Sequence, residues 1–171
     1  MPIKIMKQIL IAALFCFTFG TLNAEESLKS IGKFKDWESF VLSKEGNKTC
    51  FAQSIPVVRA PKKIKRDPSR LFVSFRPNEN INNEVSVTNG YEFKLKAPVT
   101  AKSGKKSYDL FSKGRFAWVV DNKDEKKLIV TMKKASRLMI IGNTNKGDQT
   151  TDHYSMMGFT KAYNIAKKNC S

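Results

Sequence analysis

The run Asp152-His153-Tyr154-Ser155 places an acid, a base and a nucleophile side by side in the sequence. Adjacent residues of an extended segment point to opposite faces, so this run does not predict the relay of a serine hydrolase. His153 is the only histidine in the chain, and Cys16, Cys50 and Cys170 are its three cysteines. This supply leaves no zinc site, and we predict neither a metal nor a cofactor.

Paired carboxylates are the remaining route to catalysis. Asp148 and Asp152 flank a short loop of threonine and glutamine, with no further pattern to support them. A hydrolase with unrecognised carboxylates is therefore an alternative, and it requires a concave pocket with two acids about 5–10 Å apart. Because no catalytic constellation is visible, we favour a protein that is not an enzyme.

Residues 59–70 concentrate positive charge, with six basic side chains against one acid, Asp67. Pro61 and Pro68 predict an exposed loop rather than a regular element. As an alternative function, this loop would bind an anionic glycan or lipid headgroup, through Arg59, Lys62, Lys63, Lys65, Arg66 and Arg70. The alternative is a solvated loop in a lysine-rich chain.

The balance of lysine and arginine bears on the kind of partner. The formal net charge of the 171 residues is +16, and lysine supplies 25 of the 31 basic side chains. Bidentate recognition of phosphates and bases relies on arginine, so the composition argues against nucleic acid. The 41% hydrophobic fraction is enough to form a core, which excludes a wholly disordered chain.

Residues 1–24 have the pattern of a secretory signal peptide. Lys4 and Lys7 precede a twelve-residue apolar stretch, and Ala24 marks the predicted cleavage site. The stretch is shorter than the roughly 20 residues that span a bilayer, which argues against an uncleaved anchor. We expect a single domain over residues 25–171, with a net charge of +14 and no membrane-spanning segment.

Cleavage removes Cys16 and leaves Cys50 and Cys170. An even pair of cysteines in an exported chain predicts a disulfide, because the compartment outside the cytoplasm is oxidising. A reactive pair is the alternative, but the two residues form no Cys-x-x-Cys motif.

Short apolar or alternating runs separated by turn residues predict a series of strands. The predicted strands cover residues 37–42 and 49–52, which form a hairpin, and residues 71–75, 84–87, 91–95, 108–111, 116–120, 128–132 and 137–141. Phe159, Ala162, Tyr163 and Ala166 recur at helical spacing. We therefore predict a mainly β fold, an antiparallel β-sandwich or barrel with a short C-terminal helix tied by a disulfide.

Several of these segments together resemble the invasion-associated locus B family of exported bacterial proteins. They include Asp36-Trp37, Gly90-Tyr91, Ala117-Trp118 and Tyr154-Ser155-Met156-Met157-Gly158-Phe159, followed by Cys170. The resemblance implies a β-rich periplasmic or outer-membrane-associated protein, linked in pathogens to host-cell entry, without a known catalytic residue. We expect a non-enzymatic envelope protein that binds an envelope or cell-surface protein, or an anionic glycan or lipid.

Overall fold

The computed structural model describes residues 26–171, so the predicted signal peptide lies outside the described residues. This part of the chain contains eleven strands and two α-helices. The strands are β1 (Ser27–Phe34), β2 (Trp37–Lys44), β3 (Asn47–Ser54), β4 (Val58–Ala60), β5 (Arg70–Arg76), β6 (Ile81–Thr88), β7 (Val99–Ser103), β8 (Lys106–Lys113), β9 (Phe116–Trp118), β10 (Arg137–Asn143) and β11 (Gln149–Ser155). The helices are α1 (Asn122–Lys134), between β9 and β10, and α2 (Phe159–Asn169), after β11.

The strands form one antiparallel sheet in the order β1-β2-β3-β5-β6-β9-β8-β7-β10-β11-β4. The predicted hairpin forms as β2 and β3, with Trp37 opposite Ser54. Side chains from both ends of the strand order, such as Trp37 and Tyr154, share one apolar core, so the sheet bends over itself. The predicted mainly β fold with a disulfide-tied C-terminal helix is confirmed.

The alternating pattern in the sequence corresponds to the two faces of the sheet. In β3, Cys50, Ala52 and Ser54 are buried, whereas Phe51 and Gln53 lie on the outer face. This follows from the pleat, which sends successive side chains to opposite sides.

The prediction of a strand over residues 128–132 is wrong, because this run lies within α1. The Oδ1 atom of Asp121 accepts hydrogen bonds from the backbone N–H groups of Lys123 (2.8 Å) and Asp124 (2.9 Å), which caps the helix. Acids in the first turn and lysines in the last also favour the helix dipole. The apolar run forms the buried face of the helix, through Leu128, Ile129 and Met132.

The prediction of a strand over residues 91–95 is also wrong. Phe93 makes one isolated bridge with Thr144, and the chain then turns at residues 95 and 96. Phe93 is buried between exposed Glu92 and Lys94, so the segment alternates without joining a ladder. An irregular segment lying across a core produces the same pattern as a half-buried strand.

The predicted C-terminal helix is confirmed as α2, which packs on the inner side of the sheet. The Phe159 ring lies 4.7 Å from Trp37 between centroids, and the Ser39 hydroxyl donates to the Ala162 carbonyl at 2.8 Å. Gly158 has φ of +92°, and a Cβ there would lie 1.8 Å from the Phe34 carbonyl oxygen. The entry to α2 therefore requires glycine.

The predicted disulfide between Cys50 and Cys170 is confirmed and joins β3 to the end of α2. A structural disulfide is characteristic of an oxidising compartment, which fits an exported chain. Neither helix of residues 26–171 has the length and apolar character needed to cross a bilayer.

Removing the disulfide should destabilise the fold. On the chain-entropy model, a bridge across 120 residues contributes about 4–5 kcal/mol, because it restricts the unfolded chain. We expect the Cys50→Ser/Cys170→Ser variant to show that loss in urea denaturation, and the reduced parent protein to match it. Identical unfolding midpoints for the oxidised and reduced parent would contradict a stabilising role.

Candidate anion-binding loop

The basic segment starts in a strand and continues as a loop. Arg59 lies in β4, the edge strand, and its backbone lies opposite that of Asp152 in β11. The chain then runs through residues 61–69, which we call the lysine loop, before it enters β5. The loop exposes three cationic side chains, Lys62, Lys63 and Lys65.

Arg66 is not available to a ligand, which corrects its place in the predicted anion-binding set. Its Nη1 atom lies 2.8 Å from Oδ2 of Asp152, and its Nη2 atom contacts Oδ1. The two side chains are only 2% and 0% exposed. Nη1 also donates to the carbonyl of Asn89 at 3.0 Å. This bidentate, buried ion pair anchors the loop to β11.

Arg59 contacts the same part of the lysine loop as Arg66 does. Its Nη2 atom donates to the carbonyl oxygen of Asp67 at 2.5 Å and lies 3.4 Å from that of Arg66. Arg70 is half-buried in β5, opposite Thr88 of β6. The six predicted residues therefore form two groups. The three arginines lie in strands or anchor the loop, and the three lysines are exposed.

Asp67 joins the lysine loop to two neighbouring turns. Its backbone N–H donates to the Gly90 carbonyl at 3.0 Å, and its carboxylate pairs with the guanidinium of Arg115 in the β8–β9 turn. A Cβ at Gly90, where φ is +80°, would lie 2.0 Å from the Asp67 carbonyl oxygen. This close approach requires glycine at the turn.

The three loop lysines remain free of ion pairs with any acid of residues 26–171. The one acid in the loop, Asp67, is engaged by Arg115 instead. An exposed lysine carries its charge on a flexible stem and contacts an anion without demanding a fixed geometry. The loop therefore presents uncompensated positive charge next to a backbone segment, residues 66 and 67, that is anchored to the sheet.

The Asp152-His153-Tyr154-Ser155 run forms no catalytic relay. Asp152 points inward to Arg66, whereas His153 and Ser155 share the opposite face of β11. The Ser155 hydroxyl accepts a hydrogen bond from the Met157 N–H at 3.2 Å. Within residues 26–171, acidic, histidine and cysteine side chains form no group of three suited to a metal ion.

A cavity of about 540 Å³ lies between β6 and α1 and contains two carboxylates, Glu84 and Glu125. Glu84 is held by Arg76 in a bidentate ion pair, with N–O distances of 2.8 and 3.0 Å. The two-acid hydrolase alternative needs both carboxyl groups available, and here one is engaged. Asp148, the other acid considered from the sequence, accepts a weak 3.4 Å contact from the Thr144 hydroxyl.

Glu125 is the acid in this cavity with an altered ionisation. Burial raises its pKa from the ordinary 4.5 to about 7, and the nearby Glu84 charge adds to that rise. A hydrogen bond from the Val85 N–H to Oε1, at 2.7 Å, works in the opposite direction. Glu125 thus takes up a proton near neutral pH in the folded chain.

Comparisons with known proteins leave the site unassigned, since no protein family, no curated protein and no solved structure matches the chain. The residue that the sequence did not connect with the loop is Asp152, which lies 86 positions from Arg66. Its neighbour His153 was the residue with a side chain suited to act as a base, whereas Asp152 anchors the loop through Arg66.

Replacing Arg66 should destabilise the protein, whereas replacing its neighbour Lys65 should not. Arg66→Ala leaves the carboxylate of Asp152 buried without a partner, and we expect a loss of about 3–5 kcal/mol in urea denaturation. Lys65→Ala is the matched control, with an expected change within about 0.5 kcal/mol. Arg66→Met/Asp152→Leu, which removes both charges, should recover much of the loss. Equal effects of the two single variants would show that Arg66 is not an anchor.

Glu125 should make stability depend on pH. Its pKa is about 7 in the folded chain and 4.5 when exposed, so the folded state binds more protons between these values. Stability from this group is therefore present below pH 4.5 and declines as the pH rises through 7. We expect Glu125→Gln to raise Tm relative to the parent at about pH 8 and to change it little near pH 4. The exposed Glu45→Gln control should show no such trend, and a pH-independent Tm difference would refute the assignment.

Proposed function

We propose that the chain is a non-enzymatic exported envelope protein that binds an anionic partner, a glycan or a lipid, through the lysine loop. The observation that carries this proposal is the division of the basic residues. Arg59 and Arg66 hold the loop from within, and Lys62, Lys63 and Lys65 project from it without acidic partners among residues 26–171.

A charged loop binds best when its backbone is already ordered. Ordering a mobile segment on binding costs conformational free energy, and that cost reduces affinity. The contacts of Arg59 and Arg66 fix residues 66 and 67 in advance, which shortens the part of the loop that must be ordered on binding. The net charge of the chain also draws anions towards the surface over long range.

The predicted signal peptide and the disulfide support an exported location. The resemblance to the invasion-associated locus B family points to the periplasm or the outer membrane. In this setting, an acidic envelope or cell-surface protein would be an alternative partner for the same lysines. Nucleic acid is disfavoured, since the exposed cations of the loop are lysines rather than arginines.

Neutralising the loop should weaken binding to an anionic matrix. We expect Lys62→Gln/Lys63→Gln/Lys65→Gln to elute from heparin resin at clearly lower salt than the parent, because three exposed charges are lost. The matched control is Lys102→Gln/Lys105→Gln/Lys106→Gln, which removes three exposed lysines near the β7–β8 turn. If both variants elute at the same salt concentration, retention depends on total charge and the loop is not a binding site.

A further inference from the structure

Two turns lie beside the lysine loop and belong to the same end of the molecule. The Phe93 N–H donates to the Gly114 carbonyl at 2.9 Å, which joins the turn at residues 94–97 to the β8–β9 turn. The latter turn is joined to the lysine loop by the Arg115–Asp67 ion pair. These contacts make the three segments neighbours on one surface.

Exposed apolar side chains lie on one of these turns and on the outer face of the adjoining strands, β8 and β9. Leu95 is 81% exposed at the tip of its turn, and Phe111 and Phe116 are 54% and 47% exposed near the ends of β8 and β9. Leu95 and Phe111 line one groove, which also contains Lys96 and Lys113. We call these three apolar residues the apolar tip.

Lysines interleave with the apolar tip. Lys94 and Lys96 flank Leu95 in the sequence, and Lys113 lies directly opposite Phe116 in the β8–β9 pairing. All three lysines are exposed, and no acid of residues 26–171 forms an ion pair with them. Protruding apolar side chains surrounded by free cations suit the boundary between lipid headgroups and acyl chains.

We propose that the apolar tip and the adjacent lysine loop form a membrane-interface site for anionic phospholipid. This inference rests on the proposed function for the charge of the partner and names the partner as a lipid surface. Leu95, Phe111 and Phe116 enter the headgroup region, and the surrounding lysines contact lipid phosphates. The chain lies on the bilayer and does not cross it.

Other occupants match the surface less well. A second copy of this chain would bring two strongly positive molecules together, and like charges oppose that contact. A glycan could stack on the rings of Phe111 and Phe116, but it would leave Leu95, the most exposed apolar residue here, in water. An anionic lipid surface complements both the free lysines and the protruding leucine.

Vesicle sedimentation tests the proposal. We expect the protein to co-sediment with vesicles of phosphatidylcholine containing roughly one-third phosphatidylglycerol, and not with phosphatidylcholine alone. Emission from Trp118, whose ring lies 5.5 Å from Phe111, should shift to shorter wavelength on binding, since the second tryptophan, Trp37, is already buried. Absence of binding to anionic vesicles would overturn the proposal.

The apolar contribution is separated from charge by substitution. Leu95→Ser/Phe111→Ser/Phe116→Ser should lower partition to anionic vesicles by roughly tenfold or more without changing elution from heparin. Leu95→Ser alone should act in the same direction, and its high exposure leaves the fold intact. Val130→Ser/Met157→Ser, which removes two exposed apolar residues elsewhere, is the control.

The outcomes distinguish the two proposals. If Leu95→Ser and the triple variant bind vesicles as the parent does, apolar insertion is wrong while lysine-dependent anion binding stands. If the parent binds heparin through the lysine loop but does not bind anionic vesicles, the membrane proposal fails while lysine-dependent anion binding stands. If neutralising the lysine loop changes neither heparin nor vesicle binding, the proposed function fails as well.

Discussion

The buried ion pair between Arg66 and Asp152 is the interaction on which the lysine loop depends. Removing two charges from water is costly, and the pair persists because its geometry is bidentate and the Asn89 carbonyl accepts a further hydrogen bond. Asp152 belongs to a paired strand, whereas Arg66 lies in the irregular connection between β4 and β5. The pair therefore transfers the rigidity of the sheet to a segment that has no regular structure of its own.

The two kinds of basic residue have different roles in and beside the loop. Arginine offers a planar fork that matches a carboxylate or several carbonyls, so the buried Arg66 and the half-buried Arg59 suit an anchoring position. Lysine carries a compact, strongly hydrated charge and stays at the surface, as Lys62, Lys63 and Lys65 do. The Asp67–Arg115 pair then extends the proposed binding surface to the apolar tip.

The sequence predicted those parts of the fold that depend on local side-chain periodicity or on the redox state of the compartment. The period of two in β3 and the helical spacing in α2 both report which face is buried. The Cys50–Cys170 pair followed from export and an even cysteine count. The run at residues 128–132 belongs to the helix α1 and not to a strand, because its four apolar residues fit either structure and the deciding cap, Asp121, lies outside the run. The segment around Phe93 alternates between exposed and buried residues, but it forms only one isolated bridge and joins no strand ladder.

The sequence by itself determined the positive charge of the chain, the cluster of basic residues in one proline-bounded loop and the two cysteines that close the fold. The tertiary structure decided which of those charges a ligand can reach. Availability depends on partners far away in the chain, since Arg66 is neutralised by an acid 86 residues later and Asp67 by Arg115. The residue type shows that a side chain is charged, but only the contacts in the folded chain determine whether an opposite charge already pairs with it.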